Sequence, residues 1–292
     1  MNVSHASKAL AIGAALCVVS LAADAAKVQV PVPLSEADAA ALQGKTAAVT
    51  LHEPPPFIAS SPGKAGFAMI GAFAMIAAGN NFVKENGIED PAVQLRQQLG
   101  ELLQTHYGLQ MRPVDTKPSK DRKPEKIAKS HPEADYVLSV RNLGWQHMYY
   151  TTDWNNYWVS HVAYVQLIET GSGRVVLESS CGASTHESQV KPTFSELRAN
   201  GAKLTKDILA SVRWSCVQQL ATHILKLPAE KVPAVPAEYA DLLARMQPTA
   251  TAAAGAAPAA TPTATPSAPP APPPAEAPAA SGHAETPAAS TP

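Results

Sequence analysis

Three strand-like stretches follow one another between Tyr136 and Cys181, and no other part of the chain leaves the fold so few alternatives. Tyr136–Tyr150 and Tyr157–Glu169 flank a polar tip, Thr152-Asp153-Trp154-Asn155-Asn156. Thr170-Gly171-Ser172-Gly173 is a strong turn, and Arg174–Cys181 returns as a third strand with Val175 and Leu177 on one face. Strands joined this closely pair as antiparallel neighbours, so a meander is expected. With the hairpin centred on Trp154, His147 lies opposite His161, Trp145 opposite Ala163, Leu143 opposite Val165 and Tyr149 opposite Val159. Side chains alternate between faces. One face then collects Leu143, Trp145, Tyr149, Val159, Ala163, Val165 and Leu167, the expected helix-covered core. The other carries Asn142, Gln146, Met148, Tyr150, Trp158, Ser160, Tyr164 and Gln166. Aromatic, amphipathic faces suit contact, so Met148, Tyr150, Trp158 and Tyr164 are candidate partner residues.

Two helices stand ready to cover that core. Asp90 caps a helix running to Tyr107, with Pro91 in its first turn, Leu95, Leu99, Leu102 and Leu103 as its stripe, and Gly108 as its stop. Thr193–Leu227 is the second, broken at Asn200-Gly201 and ended by Pro228. Before them, Ser35 caps a short helix with Asp38 at the capping-box position and Gly44 as its stop. Lys45–His52 and Leu109–Val114 read as strands, and Tyr239–Met246 as a last short helix. Residues 115–133 read as a charged, solvated connection holding one short helix. The expected class is α+β: a small mixed sheet with a three-strand meander, order β-α-β-α-β-β-β-α.

Ala65–Ala78 (AGFAMIGAFAMIAA) carries no polar side chain and repeats Phe-Ala-Met-Ile. As a helix its 14 residues rise about 21 Å, short of a ~30 Å hydrocarbon core. A helix apolar all round must be covered by something. Either it packs on its own domain, or Phe67, Met69, Ile70, Phe73, Met75 and Ile76 contact a membrane or another copy, with Ala68/Ala72 and Ala74/Ala78 allowing close helix approach.

The two ends differ in kind from the middle. Lys8, the apolar run Ala9–Ala23 and Ala23-Asp24-Ala25 read as a secretory leader cleaved after Ala25. Cleavage removes Cys17 and leaves Cys181 and Cys216, which in an oxidising compartment are expected to pair. After Met246 come 12 of the 27 prolines and almost no large apolar residue, so a disordered tail is expected. At ~3.1 Å per residue it could reach ~140 Å as a spacer in the cell wall, or be inert. The division expected is therefore 1–25 leader, 26–44 N-terminal segment, 45–227 α/β domain with the apolar segment at 65–79, 228–246 helical extension and 247–292 tail.

No chemical motif stands out. Gly44-Lys45-Thr46 has Ala39 where a phosphate loop needs its first glycine, and it precedes a strand. His147 and His161 would supply two metal ligands, with Asp153 and His186 as conceivable additions, but two imidazoles are not a zinc site. Cys181 beside His186 suggests a thiol nucleophile only if Cys181 is unpaired. No cofactor and no catalysis are expected. A net charge of −1 makes no case for nucleic acid.

The element order, with Leu167-Ile168-Glu169-Thr170-Gly171-Ser172-Gly173-Arg174-Val175-Val176-Leu177 at its strand-turn-strand, resembles bacterial envelope domains over residues 45–227. These include the curli-secretion channel family and the N-terminal domain of the Tol-system propeller protein. Gly87-Ile88-Glu89-Asp90-Pro91-Ala92 and Thr152-Asp153-Trp154-Asn155 are similar to segments of uncharacterised exported proteobacterial proteins. The chain departs from the curli-channel pattern in lacking a lipidated cysteine, since Leu16 precedes Cys17. The resemblance implies assembly or scaffolding in the periplasm without catalysis, by binding an envelope protein or by self-association. A membrane-associated oligomer inserting residues 65–78, or an enzyme of unknown class, are the alternatives.

Overall fold

The computed structural model describes residues 30–62 and 68–247, with the side chains of 68–70 excepted. The expected leader, and the expected tail beyond Gln247, lie outside the described residues. The sheet contains β1 (Thr46–Thr50), β2 (Ile58–Ala59), β3 (Gln110–Val114), β4 (Tyr136–Tyr150), β5 (Asp153–Glu169) and β6 (Val175–Ser184). Its order is β3-β1-β4-β5-β6, with β2 beside the far half of β4. β1 runs parallel to both β3 and β4, and β4-β5-β6 is the antiparallel meander. The helices are α1 (Glu36–Ala41), α2 (Ala68–Asn86), α3 (Pro91–Tyr107), α4 (Pro124–Lys129), α5 (Phe194–Gln219) and α6 (Ala237–Met246). This is the mixed α/β class expected.

Local signals explain the helix ends. The Asp90 carboxylate accepts from the Ala92 amide at 3.0 Å, and Gly108 closes α3 in the left-handed region at φ 66°. Thr193 and Glu196 form a full capping box at the start of α5. The break anticipated in this helix is real: Asn200, Gly201 and Ala202 all have left-handed φ. Such a conformation costs a non-glycine residue about 1–2 kcal/mol. The buried Thr205 hydroxyl donates to the Leu197 carbonyl at 2.9 Å, satisfying an acceptor beside the break.

One face of the sheet is covered along its length. Under α3 and the end of α5, Leu95, Leu99 and Leu103 meet Leu138, Val165 and Leu177. Under α2 and the earlier part of α5, Phe57 and Phe82 meet Trp145, Val159 and Val212. On the opposite face α4 covers only one end, where Ile127 and Ala128 pack on Val137 and Ile168.

The meander differs from the expected register along its whole length: the chain turns at Thr151-Thr152 and not at Trp154, which shifts every pair, and a bulge within β4 shifts it once more. Asn142 pairs with Ala163 but Gly144 pairs with Val162, so Leu143 is a bulge residue. With the earlier turn Trp145 is opposite His161, His147 opposite Val159 and Tyr149 opposite Tyr157, and Val165 faces Val140 in place of Leu143. A one-residue insertion reverses which face each later side chain takes. Leu143, placed in the core by simple alternation, is 51% exposed. Asn142, placed on the open face, is buried on the helix side, where it donates to Asp90 at 2.8 Å. β5 also starts four residues early, because the chain turns at Thr151-Thr152 and the expected tip joins the strand.

Candidate functional site

The apolar segment from the sequence is the first part of α2. From Ala68 through Gly79 this helix carries no polar side chain; from Asn80 onward Asn80, Asn81, Lys84 and Glu85 face water. Its second half is anchored. Phe82 is buried against Phe57, and Gly79 passes against the Phe57 backbone. Its first half is not covered in the same way. Phe73 is 73% exposed, Ala72 and Ala77 are exposed, and Met75 and Ile76 are half-buried. Met69 and Ile70 lie in the helix, and Phe67 is outside the described residues. No described helix is long and apolar enough to cross a membrane.

The open face of the meander has covered and bare parts. Tyr150 stacks on His186 at 5.3 Å between centroids, and Trp158 meets the same imidazole edge-on at 5.3 Å. The Tyr150 hydroxyl donates to the His186 carbonyl at 2.9 Å, and burial raises its pKa. Met148, Tyr150 and Trp158 are half-buried neighbours. Tyr164 shares their face but not their surface: it is 3% exposed, with the Arg141 guanidinium 4.7 Å over its ring and its hydroxyl on Glu178. Between these aromatic groups runs a strip floored by Gly144, Val162 and Gly182, paired across three strands, with Val162 exposed.

Cys181 on β6 and Cys216 on α5 form a disulfide, with Cα atoms 5.3 Å apart. Paired, Cys181 is no nucleophile. Beside it a cleft of about 360 Å³, lined by Pro31, Pro33, Cys181, Leu220, His223 and Ile224, separates the N-terminal strap from β6 and the π-turn after α5. Its walls bring no set of acids and bases together.

His147 and His161 both point into the helix-covered core and are fully buried. They are not opposite one another. His147 sits among Phe57, Phe82 and Tyr157 rings. Burial alone lowers the His161 pKa to about 4, so it is neutral near pH 7. Among the described residues no three His, Cys, Asp or Glu side chains are grouped to hold a metal. Asp153 instead accepts from Asn156 at 2.6 Å and from the Asn155 amide, which lowers its pKa.

No protein-family model matches the chain, and no curated protein matches it. Among solved structures it is similar to lipoprotein GNA1162 from Neisseria meningitidis, at 17% identity over 48% of this chain and 82% of that one, TM-score 0.21. It is similar to the PelC dodecamer from Paraburkholderia phytofirmans, at 14% identity over 64% and 91%, TM-score 0.26. It is also similar to the hypothetical protein CT253 from Chlamydia trachomatis, at 9% identity over 62% and 97%, TM-score 0.29. All three are bacterial proteins and one is a lipoprotein, but likenesses this slight assign no role.

Proposed function

We propose that this chain is an exported, non-enzymatic envelope protein that works by binding, with the first half of α2 as its contact element. The observation that carries the reading is Phe73, 73% exposed on a helix whose neighbouring side chains are all apolar. Leaving such a surface in water is unfavourable by ~25 cal/mol per Å², so it serves a partner better than it serves the isolated fold. Export is supported by the leader and by the Cys181–Cys216 disulfide, which suits an oxidising compartment. Self-association is the leading form. The test is sedimentation of the mature protein and of Phe73→Ser/Ile76→Ser. The unsubstituted protein should form an oligomer that the double variant loses while keeping its melting temperature; a monomer in both cases overturns self-association.

A second reading rests on length. Ala68–Ala78 rises about 16 Å as helix, half of a ~30 Å hydrocarbon core, and suits insertion into one leaflet. Flotation with liposomes that depends on Phe73 would support it; failure to float would exclude it.

A further inference from the structure

The two edges of the sheet differ in kind. β3 forms one edge and carries Arg112 and Pro113 in a mostly exposed strand. Charge and proline are the usual means of keeping a foreign strand off an edge. β6 forms the other edge, and its second half, Ser180-Cys181-Gly182-Ala183-Ser184, has neither.

The chain itself shows that this second edge accepts a strand. Val32 of the strap pairs antiparallel with Glu178, exchanging N–H···O bonds of 2.8 and 2.9 Å. Glu178 therefore turns its backbone groups away from β5. Alternation along the strand makes Ser180 and Gly182 do the same, with outward groups about 7 Å apart. Among the described residues no backbone group pairs with those outward groups; the Ser179 hydroxyl reaches the Ser180 carbonyl at 3.2 Å. The strap does not follow the edge this far: Val30 is 77% exposed and makes no backbone bond to Ser180.

Where strap and edge part, the cleft of about 360 Å³ opens, with Pro31 and Pro33 on one side and Cys181, Leu220 and Ile224 on the other. Cys181 points to the helix-covered face, where it meets Cys216. On an added strand, the side chain opposite Cys181 takes that same face and enters the apolar cleft. Unpaired main-chain groups recognise another main chain, and a pocket beside them selects its side chain. We propose that the Ser180–Ser184 edge and its cleft bind an extended, antiparallel peptide segment of a partner protein, with an apolar side chain opposite Cys181. This surface is separate from the exposed half of α2 and does not depend on it.

The probe is an acetylated and amidated peptide, lysine-threonine-leucine-threonine-lysine, titrated into the mature protein and followed by the backbone amide signals in NMR. The outward amides of Ser180 and Gly182 should shift, and the ladder-bonded amide of Cys181 should shift less. Aspartate in place of the central leucine should weaken binding about tenfold or more, since a charge would enter the apolar cleft. Ser180→Pro removes an outward donor and no β5–β6 ladder bond, so it should abolish the response while the melting temperature holds. If Ser180→Pro does not fold, His223→Trp, at an exposed position in the cleft wall, carries that arm. Phe73→Ser should bind the peptide as the unsubstituted protein does; loss of binding there would place the peptide on α2 and overturn the proposal. So would an absent response at Ser180 and Gly182, or an equal one in the blocking variant. Amides of Ser180 and Gly182 already protected from exchange without peptide would show the edge taken by this chain or, if protection grows with protein concentration, by a second copy, and would overturn it too.

Discussion

A Cβ placed on Gly79 would lie 1.8 Å from the Phe57 carbonyl oxygen and 2.6 Å from its carbon, so α2 rests directly on the backbone that leads into β2. This contact turns the second half of the helix into an anchor while the first half stays exposed. Gly79→Ala must push the helix outward, at about 1–3 kcal/mol by the usual cost of overpacking. Gly144→Ala is the control, since nothing lies within 4 Å of its Cβ position. Urea denaturation should show a lowered midpoint for the first and less than about 0.5 kcal/mol for the second. Equal midpoints would mean that α2 is not seated on Phe57.

The bulge makes a sharper contrast. Leu143→Ser should cost less than about 0.5 kcal/mol, while Leu138→Ser, at a fully buried position on the same strand, should cost several. Thermal melts of both variants decide it. A large loss at Leu143 would restore uninterrupted alternation along β4.

The disulfide closes the chain between β6 and α5, with a sequence separation of 35. Replacing both cysteines by serine should remove roughly 3 kcal/mol. Reductant should lower the urea midpoint of the unsubstituted protein and leave the double variant unchanged. Thiol labelling of the unfolded, unreduced mature chain should find no free sulfur.

Acid should destabilise the protein through His161. Its folded pKa is about 4 against an ordinary 6.5, so between those values the unfolded chain binds the proton and the folded one does not. Stability is therefore complete above pH 6.5 and declines as pH falls towards 4, by on the order of 3 kcal/mol in total. His52 adds to the same window, less strongly because it is more open to solvent. His161→Leu should flatten the decline measured by urea denaturation at pH 7 and pH 4.5. An unchanged slope would remove His161 as its source.

Much of the architecture was legible because its signals are local. Asp90-Pro91, Gly108, Thr193 with Glu196, and Asn200-Gly201 each dictate backbone geometry within a few residues, and helix ends and the α5 break follow them. Turn residues and apolar stretches marked the meander. Cys181 and Cys216 could be paired because the expected leader leaves no other cysteine. β2 escaped notice since two residues carry no periodicity.

What the sequence alone determined was therefore the kind of elements and most of their limits, all set by neighbours in the chain. Tertiary structure decided which faces those elements show. The extra residue at Leu143 has no local mark, yet it turns Asn142 inward and Leu143 outward. Likewise nothing near His161 in the sequence announces that burial lowers its pKa, because the side chains that cover it come from elements distant in the chain. Burial and charge depend on distances through space, and only the folded chain sets those.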